Sequence, residues 1–225
     1  AKLISISLCL FVTVWTRIVY SAADLLVAPT SKVKNALHLK FPRTRIEVIG
    51  RGVNSELFKP LKKRNQKLRL LYVGRVSVEK ELEKLSFLNK YDDLHLTIVG
   101  EGRDLDRIKQ TLSSATFKGN LQNGDLAREY GLADIFVFPS KTDAYANVVS
   151  EALSSGLPVV AFADAGVEDR VQNTSNGFLV DDAEDFEASV LRLKDSSLRE
   201  NMSHQARITA LSLNWDSVFN QQFNA

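Results

Sequence analysis

Two carboxylates, Asp143 and Glu151, stand with seven residues between them in the segment PSKTDAYANVVSEALSSGLP. The segment passes from a polar turn into an apolar stretch that ends at Gly156 and Pro158, so Asp143 falls in a loop and Glu151 about two turns into a helix. Val148, Ala152 and Leu153 place Glu151 on a buried turn, where a carboxylate is costly unless it accepts hydrogen bonds. Ribose hydroxyls would supply them. The free N–H groups of the first helical turn, from Tyr145 through Ala146 and Asn147 to Val148, suit an anion, with Thr142 or Asp143 as the expected cap. Upstream, Gly74-Arg75-Val76-Ser77-Val78-Glu79-Lys80 brings two cations, Arg75 and Lys80, to the start of another helix. Cations there oppose the helix dipole, and an anion held between them offsets the penalty. Gly74 lets the backbone turn closely. On the residues alone, surface pairing of Arg75 and Lys80 with Glu79 or Glu81 stays open, as does a plain capping role for Asp143.

Other candidates are weaker. Gly100-Glu101-Gly102 lacks the third glycine of a dinucleotide fingerprint. Asp104-Leu105-Asp106 has the form of a metal-binding DxD, but it opens a helix, where acidic side chains simply favour the dipole. His38, His95 and His204 show no ligand spacing, and His95, beginning a strand, has an expected structural role. No metal and no cofactor are expected.

Residues this far apart need a scaffold that brings them to one edge. Short apolar runs predict strands at 25–28, 46–49, 69–73, 95–99, 115–117, 135–138, 158–162 and 177–180. Helices are predicted at 32–39, capped by Ser31, and at 79–90, with Leu82, Leu85 and Leu88 on one side. Further helices follow at 104–113, 123–132, 146–155, 184–193 and 197–211. Apolar strands alternating with helices indicate right-handed βαβ units, hence an α/β, doubly wound parallel Rossmann-like sheet. Ligands bind such a sheet beyond the carboxyl ends of its strands, where Gly74, Arg75, Lys80 and Asp143 fall. The stretch 50–67 has no period and ends in a basic cluster of Lys62, Lys63, Arg64 and Lys67; it reads as a solvated interdomain linker.

Composition narrows the function classes. The 225 residues carry a net charge of +2, far too small for a sequence-independent nucleic-acid binder. A single cysteine, Cys9, excludes a disulfide framework and fits a reducing compartment. The apolar run 3–15 ends too soon, at Arg17, for a comfortable membrane span. A buried helix of a larger domain is the preferred reading, beside a signal peptide or a membrane-associating helix. Asn201-Met202-Ser203 is a glycosylation sequon only in a secreted protein.

The segment FPSKTDAYANVVSEALSSGLPVVAFADAG resembles the acidic-pair motif of retaining GT-B-fold glycosyltransferases, the large nucleotide-sugar-dependent glycosyl transferases group 1 family. Gly74-Arg75 with Glu79-Lys80 is similar to that family's donor-diphosphate motif, and Val99-Gly100-Glu101-Gly102 and Phe117-Lys118-Gly119 to its next strand ends. Arg51-Gly52-Val53-Asn54 and Phe58-Lys59-Pro60 look like the hinge entering the donor domain, and Ala23-Asp24 with Pro29-Thr30-Ser31 like the end of the acceptor domain. The resemblance implies an acceptor-side portion and hinge at 1–52, a nucleotide-sugar donor domain at 53–205 and a C-terminal crossing helix at 206–225. It also implies a natural chain about 1.5–2 times as long.

By the same resemblance, Arg75 and Lys80 hold the donor diphosphate and stabilise the departing nucleoside diphosphate, helped by amides near Ala146, Asn147 and Val148. Asp143 bonds hydroxyls of the donor sugar, Glu151 holds the ribose, and Phe117 and Lys118 approach the base. Gly74 and Tyr145 complete the donor contacts. The implied activity is retaining, metal-independent transfer of a hexose-type sugar from a nucleoside diphosphate to a glycan or lipid-linked acceptor. The implied place is the cytoplasm, with peripheral association at the inner face of a membrane. A non-transferring nucleotide-sugar module and a GT-B-like sugar-nucleotide epimerase are the rival readings. Three positions depart from the family pattern. Glu81 replaces a usual Gly and brings a carboxylate near the phosphates unless it points away. Ala146 replaces a Gly and narrows the sugar's approach, and Asp143 is one methylene shorter than the commoner Glu.

Overall fold

The structure, a computed structural model, describes residues 2–62, 67–163 and 166–223. The chain opens with helix α1 (Lys2–Ser21), strand β1 (Leu25–Ala28), helix α2 (Ser31–Lys40) and strand β2 (Arg45–Val48). β1 and β2 pair in parallel as a two-stranded sheet, Leu25 opposite Arg45. The cap of α2 is Thr30, one residue before the expected Ser31: its hydroxyl accepts from Val33 N while its backbone is extended. Phe11, Trp15 and Ile18 of α1 are 66%, 60% and 58% exposed in this chain. Its other end is anchored, with Tyr20 packed on Phe41 and its carbonyl accepting from Thr44 Oγ1. The side chains of residues 3–10, Cys9 among them, lie outside the described residues.

Six strands follow: β3 (Leu68–Val73), β4 (Leu94–Val99), β5 (Thr116–Phe117), β6 (Ile135–Phe138), β7 (Val159–Phe162) and β8 (Gly177–Val180). They form one fully parallel sheet in the order β5-β4-β3-β6-β7-β8. Between and after them run α3 (Leu105–Thr111), α4 (Asn123–Leu132), α5 (Asn147–Ser154), α6 (Ala183–Arg192), α7 (Ser196–Ser212) and α8 (Trp215–Phe223). The strands lack polar alternation because both faces are covered. Leu70 and Tyr72 enter one core with Ile98, Ile135, Val137, Leu85 and Phe186. Leu71 and Val73 enter the other with Phe136, Phe138, Tyr130, Val149 and Leu153. The two-residue period of the strand makes that division.

The chain steps outward from β3 to β4 and β5, then returns to the opposite flank of β3 at β6. The order therefore reverses between β3 and β6, and the crevice beyond their carboxyl ends is the topological switch point. Gly74 and Arg75 follow β3 there, and Pro139 to Ala146 follow β6.

Three expectations need correction. The helix expected at 79–90 is two 3₁₀ segments, Val78–Lys80 and Leu82–Lys90, separated by Glu81 at φ 51. Leu82, Leu85 and Leu88 repeat every three residues, which aligns them in one row on a three-residue turn, and all three are buried. The stretch 50–67 is not a free linker. Val53 and Phe58 are buried in the second core, Val53 N donates to Leu213 O, and Phe58 O accepts from Ser154 Oγ and Arg207. Lys63 and Arg64 of its basic cluster lie outside the described residues, while Lys62 and Lys67 are exposed. Finally, α5 has no side-chain cap: Ala146 occupies the cap position at φ 55, and neither Thr142 nor Asp143 serves there. The chain turns at Leu213 and Asn214 between α7 and α8.

Candidate functional site

The switch-point crevice is a cleft of 610 Å³. Gly74, Arg75, Lys80, Asp143, Tyr145, Ala146, Asn147 and Val148, eight of the sequence-predicted residues, line it together. A second cavity of 480 Å³ adjoins it at Arg51 and Asn147 and reaches Ser150, Glu151 and Trp215. The two acidic residues thus stand in adjoining cavities whose walls share Arg51 and Asn147.

Asp143 does not wait unpaired. Lys80 Nζ donates to both of its oxygens, at 2.8 and 2.6 Å, and Ser140 Oγ adds a third bond at 2.7 Å. Asp143 lies three residues before Ala146, the cap position of α5. Thr142 Oγ1 reaches Glu79 O at 3.4 Å, tying the loop after β6 to the 3₁₀ turn after β3. Arg75 is 73% exposed with only a 3.8 Å pairing to Glu79, so its guanidinium is available to a ligand at little cost. Tyr72 O–H donates to Arg75 O at 2.9 Å. Burial, then the charges of Asp143 and Glu79, push the Tyr72 phenol pKa far upward and keep it a donor. Glu81 points away from the cleft into an ion pair with Lys84 at 2.9 Å.

Glu151 accepts from Tyr130 O–H at 2.9 Å. Burial raises its pKa above the usual carboxylate value, and the bond from Tyr130 opposes that rise. Phe117 and Lys118 are not among the lining residues of these two cavities. Lys109 lies over the Phe117 ring, and Lys118 pairs with Glu129 at 2.7 Å in a separate 330 Å³ pocket.

The glycine-flanked turn after β4 has a packing role. Gly100 has φ 132, and a Cβ there would lie 2.0 Å from Gly74 O. Asp104 Oδ2 accepts from Val78 N at 2.9 Å and pairs with Arg107, steadying the turn that carries Lys80. His95 Nε2 lies 3.0 Å from Thr116 Oγ1 across β4 and β5, and burial lowers its pKa. Among the described residues, no three His, Cys, Asp or Glu side chains gather where a metal ion could be held. Among them, too, no helix is long and apolar enough to cross a membrane.

Two arginines escaped the sequence reading as site residues. Arg51 lines both cavities, and its N–H and C=O bracket the Tyr145 hydroxyl, each at 2.7 Å. Its position was legible only as part of a hinge. Arg170 is 3% exposed and donates to the loop that enters α5. It sits in a charged turn, GVEDRV, with no sequence feature that announces burial.

The sequence profile described as Glycosyl transferases group 1 matches residues 53–209. The GDP-mannose-dependent alpha-mannosyltransferase of Mycolicibacterium smegmatis is 34% identical over 217 residues, covering 91% of this chain and 57% of the relative. The sulfoquinovosyl transferase of Arabidopsis thaliana is 32% identical over 238 residues, covering 93% of this chain and 46% of the relative. This chain therefore spans about half the length of these relatives. Among solved structures, sucrose-phosphate synthase of Thermosynechococcus elongatus superposes with a TM-score of 0.84 at 22% identity, over 93% of this chain and 59% of that one. An Anabaena protein solved in complex with UDP and glucose superposes with a TM-score of 0.77 at 18% identity, over 94% of this chain and 65% of that one. At these identities the likeness speaks for the fold, which is the α/β GT-B type. With the profile spanning most of its length and the acidic pair standing at the switch point, the chain belongs to the glycosyl transferases group 1 family.

Proposed function

We propose that this chain supplies the donor-binding half of a retaining, metal-independent hexosyl transfer from a nucleoside diphosphate to a glycan or lipid-linked acceptor. One observation carries the reading: Asp143, steadied by Lys80 and Ser140, lines one cleft with Arg75 and the start of α5, and Glu151, steadied by Tyr130, lines the adjoining cavity, with Arg51 and Asn147 in the walls of both. This arrangement suits the parts of a nucleotide sugar, with hexose at Asp143, diphosphate at Arg75, Lys80 and the first amides of α5, and ribose at Glu151. The base extends past the ribose toward Phe117 and Lys118. In this reading residues 53–205 form the donor domain and 1–52 the acceptor side.

Each group has a task its chemistry suits. As the glycosidic bond to the diphosphate breaks, negative charge collects on the leaving oxygens, and Arg75, Lys80 and the N–H groups of Asn147 and Val148 stabilise it without a proton transfer. Lys80 has three donor hydrogens, so it can bridge Asp143 and a phosphate oxygen. The mannosyltransferase relatives make GDP-mannose the first donor to test.

Calorimetric titration with GDP, UDP and GDP-mannose, beside a donor-hydrolysis assay, tests the reading. Arg75→Ala removes a charge-assisted bond of roughly 1.5–3 kcal/mol, an expected 10–200-fold loss of nucleoside diphosphate affinity. Unchanged affinity removes Arg75 from the phosphate site. Asp143→Ala frees Lys80, so GDP is expected to keep or gain affinity while GDP-mannose loses it. Equal losses for both ligands contradict the sugar role.

A further inference from the structure

Arg170 is an arginine in the core with no carboxylate bonded to it among the described residues. Its Nη1 donates to Ala146 O at 3.1 Å and Ser150 Oγ at 2.8 Å. Its Nη2 donates to Tyr145 O and to Gly166 O. Its guanidinium lies 4.0 Å from the centre of the Tyr145 ring, and its Nε is without a partner. Keeping a cation there is expensive, and two of its four bonded acceptors are the successive backbone carbonyls of Tyr145 and Ala146, in the loop that enters α5.

That loop is strained. Ala146 has φ 55 and ψ 71, the left-handed region that a side-chain-bearing residue enters at a penalty of about 1–2 kcal/mol. A trans peptide is planar, and its C=O and N–H point in opposite directions. Turning the carbonyls of Tyr145 and Ala146 onto Arg170 therefore turns the following N–H groups, those of Ala146 and Asn147, away from it. Ala146 and Asn147 line the 610 Å³ cleft, whereas Arg170 does not. Two successive amides aimed into one cavity are a backbone anion cradle.

We propose that Arg170 is a positioning residue: from behind the site it holds Tyr145 and Ala146 so that the amides of Ala146 and Asn147 face the diphosphate, without touching it. This rests on the donor-site reading above and adds what orders its backbone. It also accounts for the tolerance of alanine where a glycine would adopt the same conformation freely, since the arginine fork supplies the constraint.

The test is titration of the full 225-residue chain with inorganic pyrophosphate and with GDP, for the parent, Arg170→Lys, Ala146→Gly and the double variant. Lysine keeps the charge but loses the fork, so Arg170→Lys is expected to weaken both ligands by on the order of tenfold. In the Ala146→Gly background the same substitution is expected to cost much less, because glycine reaches the conformation unaided. A parent that binds both ligands, with Arg170→Lys unimpaired or impaired equally in both backgrounds, overturns the positioning role. A parent that binds neither overturns the donor-site reading itself. Should Arg170→Lys not fold, amide NMR of the unsubstituted chain decides. Pyrophosphate is expected to shift the Ala146 and Asn147 N–H resonances and not the Arg170 side-chain protons; the reverse pattern makes Arg170 a direct ligand and ends the proposal.

Discussion

At the residue scale, Glu151 shows how the fold accommodates a carboxylate that is largely buried. It was legible from the apolar residues around it, but the partner that makes its burial tolerable, Tyr130, lies on α4 and was not. Burial raises its pKa above the ordinary 4.5. An acid whose pKa is raised by folding binds its proton more readily in the fold. Its contribution is therefore most favourable below pH 4.5 and is lost as pH climbs through the raised value. Glu151→Gln keeps the shape and removes the charge. The melting temperature of this variant, relative to the parent, is expected to be higher at pH 7.5 than at pH 4.5. An equal difference at both pH values contradicts a desolvated carboxylate. Nucleoside affinity is expected to fall in the same variant, because an amide accepts ribose hydroxyls more weakly than a carboxylate.

At the element scale, the loop that enters α5 is held from two sides, by Arg170 behind it and by the crossing between the two sheets in front. Tyr145 makes the second connection. Its hydroxyl accepts from Arg51 N and donates to Arg51 O, and the space beside it is so tight that a Cβ on Gly50 would lie 3.1 Å from that oxygen. A conformational change at residues 50–52 would therefore be felt directly at the amides of Ala146 and Asn147. Tyr145→Phe removes both bonds and leaves the Arg51 amide without its partner, at a cost of about 1–3 kcal/mol. Hydrogen exchange is expected to show faster exchange at Arg51 with β3 unchanged. An unaltered Arg51 rate means the bonds do not hold the crossing. The 3₁₀ segment at Leu82–Lys90 shows a different limit of the sequence. The row of Leu82, Leu85 and Leu88 was visible, yet a three-residue spacing suits one face of an α-helix over a short span as well as it suits a 3₁₀ turn. Glu81, in the left-handed region just before the row, divides the expected helix into two segments.

At the scale of the whole molecule, the two-stranded sheet, the six-stranded sheet and the C-terminal helix meet near the switch-point cleft. Ser31 N donates to Asp169 Oδ2 at 2.6 Å, joining the start of α2 to the turn that carries Arg170. On the other side Val53 N donates to Leu213 O, and Trp215 of α8 closes over Gly52. A Cβ at Gly52 would come within 2.6 Å of the Trp215 ring, and Trp215 also lines the cavity that holds Glu151. Gly52→Ala must therefore displace α8. Overpacking of this kind costs about 1–3 kcal/mol, readable as a lower midpoint in urea with a changed Trp215 emission. A midpoint and emission equal to the parent's mean that α8 does not seat there. The apolar side chains of α1 at Phe11, Trp15 and Ile18 remain open on this chain, which spans 57% of the mycolicibacterial relative.

Local chemistry was enough to write most of this protein. Strand positions follow from short apolar runs that need no partner to be recognised. The limits of α4 and the existence of α5, α6 and α7 follow from helix periodicity and from the breakers around them. The acidic pair and the two cations stood out because charged residues beside apolar strands are exceptional. Tertiary structure alone decided which groups those charges meet. Lys80 pairs with Asp143 because the order of strands reverses between β3 and β6, bringing together turns 63 residues apart. Arg170 and Arg51 likewise bond the loop that enters α5 from positions distant in the chain. Hydrogen bonds and ion pairs act over a few ångströms of space, and sequence order carries no record of which distant segments the packed sheet brings within that range.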